Sequence, residues 1–209
     1  KSLSNHEWNK FTNAYFVKGK ANKSNDEWGE WKLKPNAKQQ WNIAYKHNEM
    51  ELKVRLGLTS FKHLGVFPEQ AVNWDFIYDS IKSFNTPSVK VLNLFAYTGI
   101  ASIAAKAAGA EVTHVDSVKQ VVSWSRENME LSGLNNIRWI VDDAVKFVNR
   151  EVRRESKYNG IILDPPAYGR GPDGEKWILG NLVPPIEKRT EAEIDQAEHH
   201  VIGHRLLRG

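Results

Sequence analysis

VKVLNLFAYTGIASIAAKAAGAEVTHVD, residues 89–116, passes from strand to turn to helix and back to strand. Residues 89–95 are a short apolar run, the length of a buried strand rather than of a helix. The run ends in the turn Thr98-Gly99, and alanine-rich residues 100–108 follow as a helix closed by Gly109. Residues 111–115 return to strand and stop at Asp116. Downstream the pattern repeats, with a helix over 118–131, a strand over 138–141, a helix over 144–154 and a strand over 160–163. The last two strands end at Asp142-Asp143 and at Asp164-Pro165-Pro166. Upstream, Pro68 suits a first helical turn, and Val72, Phe76, Ile77, Ile81 and Phe84 recur at helical spacing. Strands alternating with helices predict an α/β fold: a Rossmann-like doubly wound, mostly parallel sheet with right-handed crossovers.

The chain has 209 residues, enough for one domain and an appendage. Hydrophobic residues make up 41% and charged residues 26%, a globular balance, and no apolar run is long enough to cross a bilayer. Cys is absent, which excludes a disulfide framework, a thiolate zinc site and a cysteine nucleophile supplied by this chain. A reducing compartment is compatible, and a cytoplasmic location is expected. The net charge of +4 is unevenly spread: residues 1–62 hold twelve Lys and Arg against six Asp and Glu. There Trp8, Trp28, Trp31 and Trp41 lie among lysines, and two alternating runs around Lys46-His47-Asn48-Glu49 predict a hairpin with one wet face. Aromatic and cationic groups together suit a nucleic-acid strand, and they equally suit a small β layer with solvated lysines. The expected organisation is a basic β-rich extension over 1–60, a catalytic domain over 61–180 and a charged helical tail over 181–209.

In a sheet of this kind the ligand lies outside the carboxyl ends of the strands. Asp116 follows Gly99 by 17 positions, near the spacing of a carboxylate that binds ribose hydroxyls. The turn has one glycine and no lysine, so it lacks the phosphate cradle of a dinucleotide or triphosphate site. A charged nucleoside without phosphate fits, and S-adenosylmethionine is the common cofactor of that description. Its sulfonium and ammonium suit the acidic tips Asp116, Asp142, Asp143 and Asp164. Any one of these aspartates could instead be a helix cap or a turn former. Asp164-Pro165-Pro166-Ala167-Tyr168 places a carboxylate and an aromatic ring on a stiff strand tip, where a planar substrate could stack.

At these residues the chain resembles the class I S-adenosylmethionine-dependent methyltransferases, and most closely the bacterial kind related to large-subunit ribosomal RNA methyltransferases. The resemblance rests on residues 91–99, His114-Val115-Asp116, Val141-Asp142-Asp143-Ala144 and residues 163–168, with residues 61–70 similar to the lead-in of that group. It implies that Phe95, Ala96, Tyr97, Thr98 and Gly99 line the methionine part of the cofactor and that Asp116, with Ser117 beside it, holds the ribose. Asp143 would meet the adenine amino group, with Ala144 adjacent. Lys62, Phe67 and Gln70 would close over the cofactor, and Asp164, Pro165, Pro166 and Tyr168 would face the target. The implied function is methyl transfer to RNA, ribosomal RNA in particular. The missing cysteine disfavours pyrimidine-carbon methylation by thiolate addition and favours a base nitrogen. A protein or small-molecule acceptor remains open, as does a non-catalytic nucleic-acid-binding module on the same scaffold.

Beyond the Asp-Pro-Pro tip the sequence departs from the family pattern. Pro172, Gly174, Pro184 and Pro185 interrupt the region where further strands are due, so the sheet reads as incomplete, and the chain starts at Lys1 rather than Met. The charged stretch 190–208 reads as a helix with Ile194, Ala197, Val201 and Leu207 as a thin apolar stripe. His199, His200 and His204 lack the glutamate of a metalloprotease helix and have Gly203 between them, so no metal is expected.

Overall fold

A computed structural model describes residues 4–18, 29–59, 63–165, 168–170, 176–178 and 200–203. By packing, the chain forms two units, Lys1–Ile43 with Arg55–Val66, and Ala44–Val54 with Phe67–Gly209. In the first unit, helix α1 (Asn5–Phe11) opens with a capping box between Ser4 and Glu7. Strands β1 (Ala14–Lys18) and β2 (Gly29–Leu33) pair antiparallel, with Phe16 opposite Trp31. Their rings meet edge to face at 5.3 Å, and the Trp31 indole N–H donates to the Thr59 carbonyl at 2.8 Å. Trp31 is thus spent on packing, whereas Trp8, Phe11 and Tyr15 are exposed. Trp28 lies outside the described residues.

Strands β3 (Gln40–His47) and β4 (Met50–Gly57) form the expected hairpin around Asn48-Glu49. Met50, Leu52, Val54 and Leu56 are buried while Glu51 and Lys53 stay wet. Within the second unit, the turn end of this hairpin is fastened to helix α2 (Ala71–Ser83), which follows a single 3-10 turn at Pro68–Gln70. Tyr45 donates to Asp75 at 2.8 Å, and a His47 ring nitrogen lies 2.9 Å from Asp79. The buried face of α2 is Trp74, Ile77, Tyr78 and Ile81. Val72 and Phe76, expected on that face, are 60% and 44% exposed. The stripe is rotated because Trp74 and Tyr78 turn their rings inside, where they meet the rings of Tyr45 and His47 edge to face.

The sheet consists of β5 (Lys90–Leu94), β6 (Glu111–Asp116), β7 (Arg138–Val141), β8 (Gly160–Leu163) and β11 (His200–Gly203), in the order β11-β8-β5-β6-β7, all parallel. Strand alternation sends Leu92, Leu94, Val115 and Leu163 to one face, where helix α5 (Ala144–Arg153) covers them with Phe147 and Val148. The other face holds Val91 and Asn93 under α2 and helix α3 (Ile100–Ala107). Helix α4 (Lys119–Leu131) packs next to α3 and against β6 and β7. Two short strands, β9 (Tyr168–Arg170) and β10 (Lys176–Ile178), pair antiparallel after the Asp-Pro-Pro tip.

The tail corrects one expectation. His200–Gly203 is a strand beside β8 and not part of a helix, and it gives the sheet a member past β8. Val201 and Ile202 are β-branched and Gly203 opposes helix, so pairing with Ile161 and Ile162 overrides the charged pattern of the preceding residues. His199 and His204 lie outside the described residues. Among the described residues no cluster of His, Cys, Asp and Glu could hold a metal, and no helix is long and apolar enough to cross a membrane.

Candidate active site

From β5 the chain first winds to β6 and β7 on one side, then returns to β8 on the other. The carboxyl ends of β5 and β8 stay paired through Leu94 and Leu163, but the connections that leave them head to opposite sides of the sheet, and a cleft opens at that switch point. Asn93, Phe95, Ala96, Tyr97, Thr98, Gly99, Ile162, Leu163 and Asp164 line it from the sheet side, and Phe67, Gln70, Asn73, Trp74 and Ile77 line it from the 3-10 turn and α2.

The floor is a strained loop. Phe95, Tyr97 and Gly99 all hold left-handed backbone, at φ of 56°, 48° and 82°. A non-glycine residue in that region costs about 1–2 kcal/mol, so the loop persists only because its surroundings over-determine it. The Ala96 amide donates to the Val115 carbonyl, and the Tyr97 amide donates to Asp116 at 2.9 Å. From α4, Ser125 donates to the Tyr97 carbonyl at 2.7 Å and the Asn128 amide donates to the Thr98 carbonyl at 3.0 Å. The Phe67 ring tilts over the Tyr97 ring at 5.3 Å.

Asp116 does not line the cleft. Its carboxylate accepts from Tyr97 and, at 2.9 Å, from Val118. Burial pushes its pKa up, and the backbone N–H groups of Val118, Tyr97 and Ser117 work against that rise. Ser117 itself is exposed. Asp143 and Ala144 are likewise outside the lining: Asp143 caps α5 by accepting from the Lys146 amide at 2.8 Å, and Ala144 is buried against Leu92, Leu94 and Phe147. The second Asp143 oxygen has no partner among the described residues. Asp142 is paired to Arg150, which removes it from the acidic edge the sequence suggested. Asp164 is exposed at the cleft and Pro165 is buried behind it. Lys62, Pro166 and the Tyr168 side chain lie outside the described residues.

Sequence reasoning did not single out Asn73, Trp74, Ile77 or Asn93, nor the α4 brace of Ser125 and Asn128. Asn93 had a signal, since it is the one polar residue in the apolar run 91–95. The described lining offers oxygen acceptors and apolar surface, with no Lys or Arg among it. Such a lining suits a cation with an apolar body, which is the chemistry of S-adenosylmethionine.

Comparison with known proteins agrees. A family profile described as S-adenosylmethionine-dependent methyltransferase matches residues 8–176. The chain belongs to that family. A crystal structure of an S-adenosylmethionine-dependent methyltransferase from Agrobacterium tumefaciens superposes with a TM-score of 0.78 at 39% identity, over 92% of this chain and 58% of that one. Among curated relatives, the ribosomal RNA large subunit methyltransferase K/L of Shewanella frigidimarina is 34% identical over 57% of this chain and 16% of its own length. Its namesake from Pseudoalteromonas translucida is 30% identical over 67% and 19%. This methyltransferase chain therefore spans less than a fifth of those ribosomal relatives.

Proposed function

We propose that this chain transfers a methyl group from S-adenosylmethionine to RNA, with large-subunit ribosomal RNA as substrate and a base nitrogen as acceptor. The observation that carries the reading is the exposed Asp164 carboxylate at the rim of a cleft otherwise suited to a sulfonium nucleoside. The names of the ribosomal relatives support RNA as the class of acceptor. Such a substrate implies work in the cytoplasm.

When bound, S-adenosylmethionine supplies a methyl carbon that already carries an excellent leaving group. What the chain adds is positioning. Residues 95–99 hold the methionine part, Asp116 takes ribose hydroxyls with Ser117 alongside, and Asp143 presents its open oxygen to the adenine amino group next to Ala144. Phe67, Gln70 and Lys62 close the site. Asp164 accepts a hydrogen bond from the N–H of the target base, turns the nitrogen lone pair toward the cleft and receives the proton released on transfer. Pro165 and Pro166 keep that carboxylate in place, and Tyr168 stacks on the base.

The first unit is the RNA contact in this reading. Trp8 and Phe11 on α1 and Tyr15 on β1 are exposed, and Tyr15 sits opposite Lys32 in the register of the hairpin. Exposed rings with adjacent ammonium groups stack bases and neutralise phosphates. The test is transfer of tritiated methyl from labelled S-adenosylmethionine into total RNA, ribosomal particles and protein extract in parallel. Label in ribosomal RNA, released as an N-methylated base on nuclease digestion, is the expected result. Label confined to protein would overturn the RNA reading, and RNA binding without label would leave only a binding module.

A further inference from the structure

Under the strained loop lies a polar chain that the cofactor reading has not used. The Asn93 amide Nδ2 donates to Ser102 Oγ at 2.8 Å, and Ser102 Oγ lies 3.0 Å from His114 Nδ1. These residues come from β5, α3 and β6 and are 2%, 0% and 0% exposed. His114 Nε2 has no hydrogen-bond partner among the described residues, and the imidazole packs edge to face against Trp139 at 4.8 Å. Three aliphatic side chains would fill the same space without any desolvation penalty.

The hydroxyl in the middle decides the polarity of the chain. Ser102 has one proton to give. Oγ, which accepts from Asn93, gives that proton to His114 Nδ1 when the imidazole is neutral and protonated at Nε2, the tautomer that this relay requires. Burial supplies that neutrality by lowering the His114 pKa to about 3. The consequence reaches the cleft. Asn93 lines it, its Nδ2 is turned inward, and its Oδ1 has no partner among the described residues. An asparagine free to flip would present donor and acceptor alternately, whereas this one presents its carbonyl oxygen.

We propose that Ser102 and His114 are positioning residues for the cofactor: they lock the Asn93 amide so that its carbonyl oxygen faces the cleft and accepts a hydrogen bond from the ammonium group of S-adenosylmethionine. The proposal rests on the cofactor reading of the cleft and adds to it two residues that never touch the ligand.

The experiment is a calorimetric double-mutant cycle on the full chain, titrated with S-adenosylmethionine. Ser102→Ala releases the amide and is expected to weaken binding about tenfold, the worth of a hydrogen bond to a charged group. Asn93→Asp presents an acceptor oxygen whichever way it turns, so in that background Ser102→Ala is expected to change affinity less than twofold. Equal losses in both backgrounds would mean a merely structural role, and no loss in the unmodified background would mean no role; either overturns the relay while leaving the cofactor reading intact. Absence of binding by the unmodified chain would sink both. Should Ser102→Ala fail to fold, nitrogen-15 spectra of the unmodified chain decide instead. A His114 ring protonated at Nε2 and bare at Nδ1 supports the relay, and the opposite tautomer overturns it.

Discussion

At Gly99 two demands coincide on one residue. Its φ of 82° is left-handed, and a Cβ placed there would lie 2.8 Å from the Ser125 Cβ and 3.1 Å from its Oγ. Alanine would therefore be strained in its backbone and would push away the hydroxyl that holds the Tyr97 carbonyl. Gly99→Ala is expected to lower stability by about 2–4 kcal/mol in urea denaturation. Asp164 makes the opposite case: it is exposed, and the role proposed for it belongs to the reaction. Asp164→Ala is expected to keep cofactor affinity within about tenfold and to lose turnover, as befits a group whose interaction grows in the transition state. Calorimetry beside the tritium-transfer assay checks this, and retained turnover would remove Asp164 from the mechanism.

At the scale of elements, α2 separates what spacing can say from what packing decides. Ile77 is 1% exposed and Val72 is 60% exposed, although both belong to the same run of apolar residues. Ile77→Ala is expected to cost about 2–5 kcal/mol and Val72→Ser less than about 0.5 kcal/mol, read from denaturation midpoints. Apolar spacing identified the helix and placed Ile77 and Ile81 on its buried face, but it put Val72 and Phe76 there in place of Trp74 and Tyr78, because a tryptophan and a tyrosine with polar edges counted for less. The strands and helices from Lys90 to Leu163 were legible because their periods, caps and polar tips all agree. Of the cleft, residues 95–99, Phe67, Gln70 and Asp164 were marked by the sequence and lie in its lining, whereas Asp116, Asp143 and Ala144, marked just as clearly, lie outside it. Less legible were groups contributed from afar, such as Ser125 and Asn128 reaching down from α4. Asp142 and Asp143 are adjacent and chemically identical in sequence, yet one is neutralised by Arg150 and the other caps α5. Only the fold tells them apart.

For the whole molecule, the neutral buried His114 makes stability depend on acidity. The unfolded chain protonates this imidazole below its ordinary value of 6.5, while the folded chain resists until about 3. Acid thus favours the unfolded state, and the contribution of this group falls by roughly 1.4 kcal/mol per pH unit between those limits. Urea titrations at pH 5 and pH 7 are expected to show a steeper loss for the unmodified chain than for His114→Gln. Equal slopes would mean that the imidazole is charged in the fold. Asp116 carries a further consequence. By accepting from Tyr97 and Val118 together, a single carboxylate handcuffs two loops that lie 21 residues apart along the chain. Hydrogen exchange at those two amides should consequently rise and fall in concert, so that a ligand gripping one loop is felt by the other through shared hardware rather than through any travelling rearrangement.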